Sequence, residues 1–331
     1  MTSQNCMLPV NDSIFGPRQD RLVKKEEIAA LNKSYEERAI AACKDADAVI
    51  YVGGLNHDFD VEDRDRSDYH LPYGQDALIK KLLAVRPDMI VTMVAGSPFS
   101  MTEWIDQTDT LLLSYYAGME TGRAFANLLF GEVSPSGKLP TTYPKELSDS
   151  PAHSIGQFGT STDVSYAEDV YVGYRYFDTY QVKPQFAFGH GLSYAAFTYS
   201  DLQVTAHPQK VTDQLQSLDA LPALYTVELA VSNDSDIDAM ESVQLYIAAK
   251  GSKVKRPVKE LRGFDKKEIA AHAKAAYTFA LTAEAFSYYD IEKHCYIAPA
   301  GTYEILLGSA SDDIRLSRTV TLSADIMISR S

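Results

Sequence analysis

Between Lys24 and Lys44 the apolar positions Ile28, Leu31, Tyr35, Ala39 and Ala42 recur every three to four residues with charges between them, the period of an amphipathic helix. Ala48 to Val52 follows as an unbroken apolar run ending in Gly53-Gly54, which predicts a strand buried on both faces, as in a parallel sheet. Gln75 to Val85 places Leu78, Ile79, Leu82 and Leu83 on one side and stops before Pro87, so a second helix is expected there. Met89 to Val94, closed by Gly96-Ser97-Pro98, reads as a second buried strand, and Thr110 to Tyr116 as a third. Gly118 then turns the chain into a helix over Thr121 to Phe130, ended by Gly131. Strands alternating with helices imply parallel βαβ units with right-handed crossovers. Three strands are few for a free-standing domain of this kind, so further strands are expected from the lead-in or from polypeptide outside this chain.

The pattern then changes twice. Pro135, Gly137, Pro140 and Pro144 punctuate the next segment, and residues 145 to 165 are polar and rich in Ser, Asp and Thr, the signature of a boundary. Tyr166 to Tyr199 carries a dense run of aromatic residues, expected to lie along a surface and bury its rings against it; domain gluing is the plainer reading and a sugar-binding platform the sharper one. From Leu202 the chain turns to short alternating segments, at Tyr225–Ser232, Ser242–Ala248, Ala276–Leu281, Thr302–Leu307 and Arg315–Leu322, separated by turns such as Asn233-Asp234-Ser235-Asp236. That is the pattern of an immunoglobulin-like antiparallel β-sandwich. The fold class is therefore α/β plus all-β: a partial α/β sandwich with parallel strands, followed by a β-sandwich. The domain reading is a lead-in at 1–23, an α/β domain at 24–145, an aromatic-rich linker at 146–200 and the β-sandwich at 201–331.

Composition narrows the function classes. The 331 residues are 45% hydrophobic and 23% charged, near the globular average. A formal net charge of -14 opposes binding to phosphate backbones or anionic lipid, so neither nucleic acid nor membrane is an expected partner. Cys6, Cys43 and Cys295 are far apart, without a metal-ligand spacing, and no disulfide framework is expected. No window approaches a membrane span, and the N-terminus lacks a basic stretch followed by an apolar one. The chain as it stands reads as soluble and unexported, with periplasmic or secreted location open for a longer precursor.

The candidate chemistry lies directly after the first strand. His57 to Pro72 packs Asp58, Asp60, Glu62, Asp63, Asp65 and Asp68 beside Arg64 and Arg66. So many charges are costly to bury, so this is a loop at a strand end, where α/β scaffolds present functional groups. Gly53-Gly54 is not followed by G-x-G-x-x-G, which speaks against a nicotinamide or flavin cofactor, and there is neither a P-loop nor a G-x-S-x-G elbow. An EF-hand would need Gly at its sixth position and Glu at its twelfth, where Asp63 and Tyr69 stand; an irregular calcium loop stays open, and zinc lacks ligands. What remains is a carboxylate suited to general acid catalysis, which needs a proton near neutral pH. Glu62 is crowded by Asp60, Asp63 and Asp65, which raise proton affinity, while Arg64 and Arg66 pull the other way. From the residues alone it is either this acid or a solvated loop carboxylate.

Several stretches resemble one family, the glycoside hydrolase family 3 enzymes that include β-glucosidases and β-xylosidases. The family's α/β sandwich carries a loop of the form E-G-x-D-R ahead of a Leu-Pro, and Glu62, Asp65, Arg66, Leu71 and Pro72 occupy those positions. Tyr116 to Gly122, Gly131 to Pro140, Phe188 to Tyr194, and Arg256 to Leu261 with Gly263-Phe264 are similar to further family segments, in order, from about residue 45 to the end. The resemblance implies that the β-sandwich is of fibronectin type III-like kind. It also implies a retaining exo-acting hydrolase of terminal β-linked sugars, with β-glucosides or oligosaccharides as substrate and neither cofactor nor metal. Glu62 would be the general acid/base, with Asp60, Asp65 and Arg66 supporting the loop or near the substrate. The partner nucleophile, an aspartate, lies in the family on an N-terminal (β/α)₈ barrel, which takes around 250 residues and has no counterpart ahead of Ala48. The chain is thus expected to be inactive alone and to need a barrel domain or subunit. Asp63 departs from the family's Gly and adds a charge beside Glu62. A non-catalytic carbohydrate- or protein-binding module and an inactive truncated paralogue are the alternatives.

Overall fold

The computed structural model describes residues 25–62, 65–66, 68–156, 158–159, 163, 165–208, 216–218 and 221–329. The expected lead-in at 1–23, and Asp63 and Arg64 of the acidic loop, lie outside them. The chain falls into two compact units, one running through Ala124 with Pro144–Leu147, the other comprising Phe125–Tyr143 and the residues from Ser148 on.

In the first unit, α1 (Lys25–Asp45) leads into β1 (Ile50–Gly54), α2 (Gln75–Val85), β2 (Ile90–Val94), β3 (Leu111–Ser114) and α3 (Thr121–Leu129), the last running on into the second unit. The strands form a parallel sheet in the order β1-β2-β3, with Ile50 opposite Ile90 and Val91 opposite Leu111. Ile79, Leu82 and Leu83 on the apolar stripe of α2 are buried, as are Val91 and Met93 of β2 and Phe99, Met101 and Trp104 beyond it. The end of α1 is fastened by Arg86, whose guanidinium donates to the carbonyls of Cys43 at 2.9 Å and Ala46 at 2.6 Å, meeting acceptors that a helix C-terminus leaves open. One expectation is corrected. β1 is covered on one face only: Tyr51 is buried, but Ile50 is 47% and Val52 63% exposed. An apolar run cannot distinguish a strand covered on both faces from an edge strand with one face uncovered, because covering depends on which elements pack there.

The second unit is a β-sandwich. One sheet has the order β4 (Phe197–Ala206), β6 (Ala223–Asn233), β9 (Lys274–Thr282), and the other β13 (Asp313–Leu322), β12 (Gly301–Ala310), β7 (Ala239–Lys250), β8 (Glu260–Ile269), with the pairings within each sheet antiparallel. A smaller sheet joins β10 (Tyr288–Asp290), β11 (Cys295–Ala298), β14 (Ile326–Ser329) and β5 (Gln216–Ser217). Val227, Leu229, Val231, Val243, Leu245, Ile247, Tyr277, Phe286, Ile305 and Leu307 form its core, the inward positions of strands with period two. The aromatic stretch packs within this unit. In α4 (Tyr174–Tyr180), Tyr174 stacks on Phe188 with ring centroids 4.8 Å apart and meets Tyr246 edge-on at 5.9 Å. Its hydroxyl accepts from the Leu261 N–H at 2.7 Å.

Candidate active site

The acidic loop leaves the C-terminal end of β1, beside the C-terminal end of β2, because parallel strands expose their carboxyl ends on the same side of the sheet. Its first residues are tightly wound. Leu55 N–H donates to Val94 O at 2.9 Å, and the Asn56 carbonyl receives the N–H groups of Phe59 at 3.0 Å and Asp60 at 2.9 Å. Asn56 Oδ1 accepts from Asp58 N–H at 3.0 Å, an Asx turn, while its Nδ2 donates to the Tyr73 hydroxyl at 3.1 Å.

The far end of the loop is held at the start of α2. Gln75 Nε2 donates to Gly54 O at 2.8 Å and its Oε1 accepts from Gly54 N–H at 2.9 Å, so the first residue of the helix grips the last residue of β1. Buried Asp76 accepts from Leu71 N–H at 3.0 Å and from the Trp104 indole N–H at 2.8 Å. Burial pushes its carboxyl above the ordinary carboxylate range, against the opposing pull of those two donors. Buried Tyr69 donates to Pro144 O at 3.1 Å.

Between these ends, two loop residues meet one short turn. Asp60 Oδ1 accepts from Ser97 Oγ–H at 2.7 Å, and its Oδ2 accepts from Gly96 N–H at 2.9 Å and the Tyr116 hydroxyl at 2.6 Å. Partial burial works to raise its pKa, but the Tyr116, Ser97 and Gly96 donors with the nearby Arg66 charge outweigh it and hold the carboxyl below the usual range. Tyr116, by desolvation and by its bond to that carboxylate, is pushed up to about 12 and stays a donor. Arg66 donates from Nη2 to the Pro98 carbonyl.

Of the four residues singled out from sequence, Asp60 and Arg66 are therefore brought together on the Gly96-Ser97-Pro98 turn. Glu62 and Asp65 lie between them and are exposed. Among the described residues, no group of three or more His, Cys, Asp or Glu side chains converges to hold a metal ion.

Sequence reasoning read Gly96-Ser97-Pro98 only as the end of a strand and Tyr116 as the end of another and the start of a family-like segment, without a role at the loop, and it gave Asn56, Gln75, Asp76 and Trp104 no role. A signal for the first was present, since the residues just past two successive parallel strands share one end of a sheet. Gln75-Asp76, separated from Leu71-Pro72 by two residues, likewise marks polar groups at a helix start. Trp104 has no such signal, because its indole finds Asp76 only through the fold.

Comparison with known proteins bears on this geometry. A family model described as the glycosyl hydrolase family 3 C-terminal domain matches residues 12–194, and one described as a fibronectin type III-like domain matches residues 241–311. The chain is 36% identical over 287 residues to beta-glucosidase BoGH3A of Bacteroides ovatus, covering 85% of this chain and 37% of that protein. It is 35% identical over 311 residues to thermostable beta-glucosidase B of Acetivibrio thermocellus, covering 93% and 40%. The solved structure of the Kluyveromyces marxianus beta-glucosidase in complex with glucose superposes with a TM-score of 0.81 at 31% identity, covering 91% of this chain and 35% of that one. The chain thus spans about two fifths, or less, of the length of these relatives. With the family model reaching across more than half of its residues, and likeness continuing through the β-sandwich, the chain belongs to glycosyl hydrolase family 3 and carries that family's C-terminal α/β domain and fibronectin type III-like domain.

Proposed function

We propose that this chain is the C-terminal part of a retaining, exo-acting β-glucosidase, and that Glu62 is its general acid/base. The observation that carries the reading is the position of Glu62, an exposed carboxyl between Asp60 and Arg66, both of which are held on the turn after β2. As a carboxylic acid, Glu62 donates its proton to the glycosidic oxygen while the bond from that oxygen to the anomeric carbon breaks and a nucleophilic carboxylate bonds to that carbon. In the second half, the Glu62 carboxylate takes a proton from water, the water oxygen bonds to the anomeric carbon, and sugar and nucleophile separate. The nucleophile is assigned to an aspartate on a (β/α)₈ barrel outside the residues described here. A retaining mechanism needs the two carboxyls about 5 to 5.5 Å apart, so the loop must reach the barrel's sugar pocket. The relatives named above, all beta-glucosidases, support β-glucosides as the substrate class.

The test uses the 331-residue chain alone and in one polypeptide with a family barrel. The chain alone is expected to leave aryl β-glucosides intact. With the barrel, Glu62→Gln should cost on the order of 10² to 10⁴ in rate on substrates with poor leaving groups. On an aryl β-glucoside whose leaving group departs without protonation, added azide should restore turnover by attacking the anomeric carbon of the glycosyl-enzyme, releasing the nucleophile and forming the β-glycosyl azide. Unchanged activity in that variant would make Glu62 a bystander.

A further inference from the structure

Asp60 stands two residues before Glu62 and Arg66 four residues after it, and the two side chains land on three consecutive residues, Gly96, Ser97 and Pro98. Described residues on either side of Glu62 are therefore fastened to one turn. We propose that Asp60 and Arg66, with Ser97 and Tyr116, are positioning residues that fasten the chain on either side of Glu62 so that its carboxyl is presented in one place; the proposal rests on the acid/base reading of Glu62.

Three features make the contact a clamp rather than a surface coincidence. Both oxygens of Asp60 are used, by three donors from two different segments of the sheet's carboxyl end: Ser97 and Gly96 after β2, and Tyr116 after β3. Each of these acts as a donor, so the arrangement suits the ionised acid, which only accepts. The backbone makes room for it at Gly96, where a Cβ would stand 2.7 Å from the Tyr116 ring and 3.0 Å from Asp60 Oδ2. On the other side of Glu62, the Arg66 charge favours the ionised form of Asp60, and its Nη1, buried, has no hydrogen-bond partner among the described residues.

The groups facing Asp60 are the titratable Tyr116, which stays protonated, the charged Arg66, and the neutral Ser97 and Gly96 N–H. Because the folded carboxyl is held low, the clamp is complete above the ordinary aspartate value of 3.8 and is lost as pH falls through the lowered one. A side chain that merely fills space would show no such dependence.

The experiment is hydrogen exchange on the full chain, reading protection factors for amides 55–72 against those of β7 and β12, across a pH series reaching below that value. Asp60→Asn and, as a milder change, Tyr116→Phe are expected to speed exchange in the loop about tenfold or more and leave the β-sandwich strands unaltered. Wild type should lose loop protection on acidification, while Asp60→Asn should stay low and flat. In the barrel-bearing polypeptide, Asp60→Asn should lower kcat about 10- to 100-fold with KM nearly unchanged, the split expected when the proton donor rather than sugar binding is disturbed. Equal loop protection in wild type and Asp60→Asn at every pH would overturn the clamp even if Glu62→Gln abolishes acid catalysis. Full activity of Glu62→Gln would overturn the presentation role whatever the exchange shows, and it separates failure of the acid/base reading from failure of the clamp.

Discussion

Asp60 and Asp76 flank the same loop, yet their surroundings move them in opposite directions. Asp60, half-exposed, meets three donors and a guanidinium and is held low, whereas Asp76 is buried with two donors and is pushed up. For Asp76 the consequence is a stability term of the less usual sign. Its folded pKa exceeds its unfolded one, so the folded state holds the proton longer, and stability falls as pH rises from the ordinary value through the raised one. Asp76→Asn removes that dependence but turns an N–H₂ toward either Leu71 N–H or the Trp104 indole N–H. Leaving one buried donor unmatched should cost about 1–3 kcal/mol. Urea denaturation at neutral pH measures it, and a stability equal to wild type would show that the amide finds another arrangement. Residue types at this scale were partly legible. Glu62, Asp60 and Arg66 stand out as charges after an apolar run, while Ser97 and Trp104 look ordinary until the chain is folded.

At the scale of elements, the joint between β1 and α2 decides where the loop can go. Gly54 lies at φ 131° with its N–H and C=O both bound by Gln75, and a Cβ there would collide with the Val94 carbonyl oxygen. Gly54→Ala is therefore expected to destabilise the fold by about 2–4 kcal/mol, from strain and the forced separation of β1 and β2. Thermal denaturation reads the loss, and a melting temperature within a degree of wild type would refute the close-approach role. Gly53-Gly54 thus serves close contact with neighbouring chain, at Gln75 and Val94. Helices α1 and α2 and the three parallel strands were legible because their apolar periods are strong. The strand β8, Glu260 to Ile269, was not. It is an edge strand carrying Lys266, Lys267 and Asp265, and charges on an edge discourage pairing with another chain while hiding the period-two signal. β4 was hidden differently, in the aromatic stretch that masks its alternation.

At the scale of the whole molecule, distant motifs are joined inside the second unit by a buried polar cluster. Glu241 of β7 is 3% exposed; it accepts from the Tyr199 hydroxyl at 2.8 Å and lies 3.5 Å from Lys138 Nζ. Lys138 also donates to Gly191 O at 2.8 Å, so the Gly-Lys-Leu-Pro segment and the Gly-His-Gly-Leu segment are tied to the sandwich through one carboxylate. Desolvation lowers the Lys138 pKa despite the favourable charge of Glu241, which shows how far the pair sits from water. Glu241→Ala strands that ammonium and the Tyr199 hydroxyl, and a loss of about 3–5 kcal/mol in unfolding free energy is expected. A change below about 0.5 kcal/mol would place the cluster with exposed pairs of small effect.

The sequence by itself determined the local periods, the succession of an α/β part and a β-sandwich, and the place of the acidic loop, since each of these is written in neighbouring residues. Only the tertiary structure decided which groups the loop meets. Asp60 is 36 or more residues from Gly96, Ser97 and Tyr116, and Lys138 is about a hundred from Glu241. The one-sided cover of β1 was settled at the same level. Such pairings depend on which strand ends lie side by side and which faces are covered, and that is a property of packing rather than of any stretch of the chain.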